Sequence, residues 1–169
     1  MISKKIASVI TSVMVFCCIV GVSLTNVKAD DSAPKSVDGS YLTSADSSTG
    51  YTPKNNERGK HLMDGQCSIS KTGTKRIYTY GSTTANHTVD AIAVIVYVDQ
   101  YNESDGKWHQ IDAFSKKVEN DYYSAISKSI QVDRGYYYRV HADHFVRMGE
   151  EPILSLIHIS EPTRPISIS

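Results

Sequence analysis

The residues best suited to chemistry lie together in the run His141-Ala142-Asp143-His144. Imidazole and carboxylate groups are common metal ligands, so the run is a candidate metal site. Side chains on a β-strand alternate between its two faces, however, so His141 and Asp143 share one face and His144 takes the other. We therefore predict no metal site here, and no cofactor.

Motifs for nucleophilic catalysis are absent from the sequence. There is no G-x-S-x-G elbow, and the stretch that begins at Gly81 lacks the strand–turn–helix setting of such sites. Six carboxylates of the predicted strand region lie mostly at strand ends and turns, where they serve solubility and turn formation. They are Asp90, Asp99, Asp112, Glu119, Asp121 and Asp133. We expect a protein that is not an enzyme, with an uncharacterised hydrolase as an alternative.

Aromatic residues give the pattern most suggestive of binding. All eleven tyrosines and the single tryptophan lie beyond residue 40. Most are expected to be structural, because tyrosine favours strands and stabilises sheets through cross-strand pairs. A candidate binding face is formed by Tyr137, Arg139 and His141, which share one face of the last predicted strand. Trp108 or Tyr122-Tyr123 would lie alongside.

The N-terminal segment predicts secretion. Lys4 and Lys5 precede nineteen uncharged residues, Ile6–Leu24, and Val27-Lys28-Ala29 precedes Asp30. This pattern predicts a signal peptide over residues 1–29, cleaved between Ala29 and Asp30. An uncleaved anchor is the alternative, since a helix of roughly 20 apolar residues spans a bilayer. We expect a secreted, extracellular protein with no membrane attachment after cleavage.

Charge and cysteine content narrow the function classes further. The whole chain has a formal net charge of 0, and residues 30–153 have a net charge of about −3. A nucleic-acid partner is therefore not expected, because such proteins present a basic face. Cys67 is the one cysteine beyond the predicted signal peptide, so it is either a buried apolar residue or a thiol that pairs between chains. The alternation in Cys67–Ser70 favours burial.

Apolar and polar residues alternate with a period of two from about residue 60 onward, which is typical of β-strands. The predicted strands are Gln66–Ser70, Arg76–Tyr80, Val89–Val98, Lys107–Phe114, Ser124–Val132 and Tyr136–Val146. Turn residues separate them, at Gly81–Asn86 and Val118–Asp121 among other places. Short, regularly spaced strands predict an all-β domain over residues 60–153. Val94, Val96 and Val140 are its predicted core.

Residues 30–59 are rich in Ser, Thr, Asp, Asn, Gly and Pro and contain few aliphatic side chains. Such a segment buries too little apolar surface to offset the entropy lost on ordering. We predict a flexible polar leader with at most a local pairing near Ser40–Leu42.

Two resemblances add context. VDRGYYYRV, Val132–Val140, resembles the corner that leads into the second-last strand of immunoglobulin-like and fibronectin-like sandwiches, where a tyrosine bonds back to the upstream loop. It implies a single antiparallel β-sandwich of that type, with Tyr138 as the corner residue. HLMDGQCSIS, TTANHTVDAIAVIVYV, Trp108 and GYYYRVHADH resemble a family of small secreted Gram-positive proteins of unknown function. That resemblance implies no activity and no site, but members usually have a further strand.

The last residues of the sequence, Leu154–Ser169, bear on where the β domain ends. The run from Leu154 through Arg164 resembles the translation of a transposase adapter used in DNA sequencing, and Leu154–Ser169 as a whole resembles adapter read-through. On this resemblance the β domain is truncated at Ile153 and lacks its last native strand. By pattern alone, Ile153–Ser160 could pair beside the Tyr136–Val146 strand. We expect Glu161-Pro162 to end such pairing and nothing beyond Thr163 to pack.

Two functional hypotheses follow. The first is a secreted, non-catalytic module that binds a glycan, a peptide or another protein through its sheet face or loops. The second is a secreted antagonistic or signalling protein that needs processing or the missing C-terminus. Sequence patterns alone do not separate them.

Overall fold

The computed structural model describes residues 36–37, 40–53, 60–150, 157–159 and 163–169. The predicted signal peptide and the cleavage site Ala29–Asp30 lie outside these residues. Within the described ranges, no helix is long and apolar enough to cross a membrane.

The described chain is all-β and antiparallel, which confirms the predicted class. β1 and β2 form a separate two-stranded hairpin, and the other strands join one sheet that is nearly barrel-shaped. The strands are β1 Ser36–Val37, β2 Ser40–Tyr41, β3 Ser47–Tyr51, β4 Leu62–Gly73, β5 Arg76–Asn102, β6 Lys107–Gln131, β7 Tyr136–Arg147, β8 Ile157–Ile159 and β9 Ile166–Ile168.

Strand β5 organises the sheet. It is 27 residues long and pairs with β6 along nearly its whole length. Its first part, Arg76–Ala85, pairs with β4 on the other side, whereas its last part, Ala91–Tyr101, pairs with β7. One long, bent strand therefore joins two regions of sheet that lie across the core from each other.

The predicted breaks at Gly81–Asn86 and Val118–Asp121 are wrong, because β5 and β6 run through both. The pairing between them instead shifts register between Thr84 and Val89, and Asn120 has a positive φ of 55°. Gly81 shows why a turn residue stands inside a strand: a Cβ at this position would overlap Cγ2 of Val96. The glycine lets the first half of β5 press against the second, and the turn residues bend the strand without ending it.

The polar leader is more ordered than its composition suggests. Ser47–Tyr51 forms β3 and pairs with β4, and the N–H of Thr52 donates to the carbonyl of Gly65 at 2.8 Å. The prediction of a flexible leader therefore does not hold for residues 47–52. Backbone hydrogen bonds to a sheet edge require no apolar side chains, so a Ser- and Thr-rich segment can form an edge strand.

The core lies between the two halves of β5. Val94, Val96 and Val140 are fully buried, as the sequence predicts, and so is Cys67. They pack with Ile69 and other apolar residues of β4, β5, β7 and β9. A smaller cluster around Val89 and Ile92 fills the far end of the sheet.

The end of the chain pairs with the free edge of β7. β8 pairs with Asp143–Phe145, as the alternation predicts, and ends at Ile159. The expectation that nothing beyond Thr163 packs is wrong, because β9 pairs with Tyr136–Tyr138 and Ile166 and Ile168 are fully buried. Apolar and polar residues alternate again after Pro165. The first half of β7 has a free edge, and this alternating segment can pair with it.

We expect Val96→Asp to lower the free energy of unfolding by about 3–5 kcal/mol, because the new carboxylate would be buried without a partner. Urea unfolding of the purified protein measures this loss. Ile111→Asp is the matched control, since Ile111 is 42% exposed, and should cost about 1 kcal/mol or less. Equal unfolding midpoints for Val96→Asp and the unaltered protein would show that this face of β5 is not the core.

Candidate binding face

The side of β5, β6 and β7 that faces away from the core bears a connected group of polar and aromatic residues. We call this side the outer face. Alternation places its members two residues apart on each strand, opposite the core valines. Its members are Tyr97, Asp99 and Tyr101 of β5, Trp108 of β6, and Tyr137, Arg139, His141 and Asp143 of β7.

Asp99 is the ionic centre of the outer face. One of its oxygens, Oδ2, lies 3.1 Å from Nε of Arg139 and 3.3 Å from Nδ1 of His141. The side chain of Asp99 is only 7% exposed and that of Arg139 only 12%. Burial opposes ionisation of Asp99, but hydrogen bonds and charges from His141 and Arg139 outweigh it, so its pKa lies below the ordinary value.

Tyr97 and His141 form a stacked pair beside this carboxylate. Their ring centroids are 4.8 Å apart and the ring planes differ by 15°. The hydroxyl of Tyr97 donates to Oδ2 of Asp143 at 3.0 Å. Burial, together with the hydrogen bond and the charge of Asp143, raises the pKa of Tyr97. His141 is thus fixed on one side by Asp99 and on its ring face by Tyr97.

Trp108 extends the group on the other side. The guanidinium carbon of Arg139 lies 4.2 Å from the Trp108 ring centroid, which is a close cation–π contact. Tyr101 packs against the same indole with centroids 5.2 Å apart. The indole Nε1 of Trp108 is buried and finds no acceptor among the described residues. A buried N–H without an acceptor is uncommon in folded proteins and marks a position where a ligand oxygen could bind.

An apolar depression of about 270 Å³ continues the outer face toward the other end of β5. Ala93, Ile95, Lys117, Phe145 and Arg147 are among the residues that line it. Nε of Arg147 is a second buried donor with no acceptor in the described part of the chain. Ile95 stands two residues before Tyr97, so the depression and the aromatic group lie about 7 Å apart along one strand.

Of the four predicted binding residues, Trp108 contacts Arg139, and Arg139 and His141 share the carboxylate of Asp99. Tyr137 lies on the same face of β7, opposite Tyr101 in the β5–β7 ladder. Tyr122 and Tyr123 are elsewhere, on the part of β6 that pairs with the first half of β5, where Tyr123 shares a hydrogen bond with Tyr80.

His144 lies in the core and not on the outer face, as strand alternation predicts. Its Nδ1 is 2.8 Å from the Thr83 hydroxyl oxygen, and its ring abuts Gly65, where a Cβ would overlap it. No group of three or more His, Cys, Asp or Glu in the described ranges is arranged to hold a metal ion.

Tyr97, Asp99, Tyr101 and Asp143 belong to the face but were not among the predicted binding residues. The period of two that places Val94, Val96 and Val98 in the core puts Tyr97, Asp99 and Tyr101 together on the opposite face. This alternation can be read from the sequence alone. The partners of Asp99, by contrast, come from β7, and only the register of the β5–β7 ladder identifies them.

No family model, no curated protein and no solved structure matches this chain. What the face can do chemically therefore rests on its own geometry. The ionised carboxylate of Asp99 contacts both Arg139 and His141. These contacts orient the two side chains. Aromatic rings, a guanidinium and an imidazole then present a rigid surface for contact with a ligand.

We expect Asp99→Asn to lower the free energy of unfolding at pH 7 by about 1.5–3 kcal/mol, because Arg139 loses a charged hydrogen-bond partner. Since the pKa of Asp99 is lowered by folding, its contribution is present above the unfolded value and is lost as the pH falls below about 4. Urea unfolding at pH 7 and pH 3 measures both effects. The difference in unfolding free energy between Asp99→Asn and the unaltered protein should be smaller at pH 3 than at pH 7.

Asp112→Asn is the matched control, because Asp112 pairs with the half-exposed Lys128 at 2.7 Å and an exposed ion pair contributes about 1 kcal/mol or less. If Asp99→Asn and Asp112→Asn give the same small loss, Asp99 does not organise the face. If the difference in unfolding free energy between Asp99→Asn and the unaltered protein is the same at pH 7 and pH 3, the pKa of Asp99 is not lowered by folding.

Proposed function

We propose that this protein is a secreted, non-catalytic binding module whose outer face contacts a polypeptide partner outside the cell. The observation on which the proposal depends is the cluster of Trp108, Arg139, His141 and Tyr97 around the buried Asp99. Tyrosine, tryptophan and arginine are the residues most enriched at protein interfaces and their hot spots. Secretion is supported by the N-terminal segment of the sequence.

The rigidity of the face supports binding. Arg139 and His141 are long or mobile side chains when free, and each lost rotamer lowers affinity. Here the ion pair of Arg139 with Asp99, the contact of His141 Nδ1 with the same carboxylate, and the stacking against Trp108 and Tyr97 fix both side chains before any partner arrives. A partner that meets a pre-ordered surface loses less entropy on association.

The apolar depression supports a polypeptide as the partner. A cavity of about 270 Å³ beside an aromatic and ionic cluster suits an apolar side chain flanked by polar groups. The buried donors Trp108 Nε1 and Arg147 Nε, near the two ends of the face, suit carbonyl or carboxylate acceptors of the same partner. A glycan would use the polar donors and leave the depression empty.

The finer fold assignment, an immunoglobulin/fibronectin-like β-sandwich, is also a proposal. It is supported by Tyr138, whose hydroxyl donates to the carbonyl of Asp133 at 2.9 Å, as a corner tyrosine of that fold does. Burial is the main cause that raises the pKa of this hydroxyl. The side chain is 1% exposed, so the hydrogen bond ties the turn before β7 to the core.

The test is an array of extracellular proteins, peptides and glycans probed with the secreted protein and its variants. The resemblance to small Gram-positive proteins makes Gram-positive surface molecules the first set. Retention on a polypeptide should fall at least about tenfold in Tyr137→Ala and in His141→Ala, the effect of losing a hot-spot side chain.

Tyr122→Ala is the matched control, because Tyr122 is 57% exposed and lies outside the outer face. Its retention should equal that of the unaltered protein. Thermal melts establish that all three variants are folded. Retention by glycans alone, or equal losses in Tyr137→Ala and Tyr122→Ala, would contradict a polypeptide site on the outer face.

A further inference from the structure

A second exposed surface lies on the other region of the sheet, where β3, β4, the first part of β5 and the last part of β6 pair side by side. Its residues alternate with the buried Cys67, Ile69 and Ile77, so their side chains point away from the core. We call this surface the hydroxyl face. Its members are Ser47, Thr49 and Tyr51 of β3, Gln66, Ser68 and Ser70 of β4, Tyr78, Tyr80, Ser82 and Thr84 of β5, and Tyr123, Ala125, Ser127 and Ser129 of β6.

The composition of the hydroxyl face differs from that of the outer face. Apart from Gln66 and Ala125, each member is a serine, a threonine or a tyrosine, and none is charged, although charged residues make up 21% of the chain. Asp64 and Arg76, which continue the same faces of β4 and β5, stand at its two ends. A charged ligand would lose its hydration here without gaining a counter-ion, so the surface favours an uncharged ligand that can form hydrogen bonds.

Two tyrosines of the hydroxyl face lie along the sheet. The register places Tyr123 opposite Thr84, four residues beyond Tyr80, so the backbones of the two tyrosines are about 14 Å apart. Their hydroxyl oxygens are nevertheless only 2.7 Å apart. Side chains that stand upright could not meet over this distance, so each leans toward the other along the sheet. Ser82, which stands between them, is accordingly only 6% exposed.

The hydrogen bond holds the two rings in line while they remain accessible. It is the first cause that raises the pKa of the Tyr123 hydroxyl, and this side chain is 41% exposed. Tyr78 stands two residues before Tyr80 on the same strand and is 38% exposed. The three tyrosines therefore follow β5 over about 20 Å. Tyr51, also exposed, stands opposite Gln66 and about 10 Å to the side of this line.

We propose that the hydroxyl face binds an uncharged polysaccharide with an extended backbone of the cellulose type. Sugar rings present polarised C–H groups, which stack on the negative faces of aromatic rings. Sugar hydroxyls both donate and accept hydrogen bonds, as the hydroxyls of serine, threonine and tyrosine do. Each contact is weak, but a line of rings about 20 Å long contacts several sugar units of one chain at once.

The hydroxyl face is separate from the outer face, and the proposal does not depend on the function proposed for that face. The apolar depression that suits a polypeptide side chain is lined by residues of the outer face, including Ile95 and Phe145. The cationic side chains that would hold an acidic partner, Arg139 and Arg147, are also on that side of β7. The two surfaces therefore suit ligands of different chemistry.

Native gel electrophoresis of the full chain in gels that contain a soluble polysaccharide measures the binding. Hydroxyethyl cellulose should slow the protein, and carboxymethyl cellulose, which has the same backbone with anionic substituents, should slow it less. Tyr80→Ala and Tyr123→Ala each remove one ring and release the other from its hydrogen bond. Each should raise the concentration of hydroxyethyl cellulose that halves the mobility by at least about tenfold.

Tyr122→Ala is the matched control, because Tyr122 is exposed and adjoins Tyr123 but points to the opposite side of β6. It should be slowed as much as the unaltered protein, and so should Tyr137→Ala on the outer face. Thermal melts establish that the variants are folded, and where Tyr80→Ala is not, the exposed Tyr78 is replaced with the same expected loss. No slowing by hydroxyethyl cellulose, equal slowing by both polymers, or equal effects of Tyr122→Ala and Tyr123→Ala would each overturn the proposal.

Discussion

The close approach of Gly81 to Val96 is the contact on which the rest of the structure depends. Both residues belong to β5, fifteen positions apart, and no side chain larger than hydrogen fits at residue 81. Because the strand folds over itself at this point, β4 and β7 can pair with different halves of it. The valines of one half then pack against Cys67, Ile69 and Ile77 of the other region.

The same bend determines what the outer face can present. Since one side of β5 from Ile92 to Val98 is used for the core, the other side must hold Tyr97, Asp99 and Tyr101. Asp99 is nevertheless buried, because Arg139 and His141 contact its carboxylate and the Trp108 ring stacks on Arg139. A buried carboxylate is tolerable only with such partners, so the ionic centre and the aromatic rim stabilise each other.

The sequence predicts the faces of the strands well and their ends poorly. Alternation identifies Val94, Val96 and Val140 as core and groups Arg139 with His141, because a period of two depends on each strand alone. Gly81–Asn86 is misread as a turn, since the same residue types serve turns and bends. The pairing of Asp99 with β7 and of the polar β3 with β4 depends on register between distant segments, which no local pattern encodes.

The most direct test of this account is the contact between the two halves of β5. In a NOESY spectrum of the folded protein, the account predicts a strong cross-peak between an Hα of Gly81 and a γ-methyl of Val96. Gly73, which lies at the end of β4 away from this contact, should show no cross-peak to that methyl. A folded protein without the Gly81–Val96 cross-peak would contradict the bent strand and the barrel-like sheet built on it.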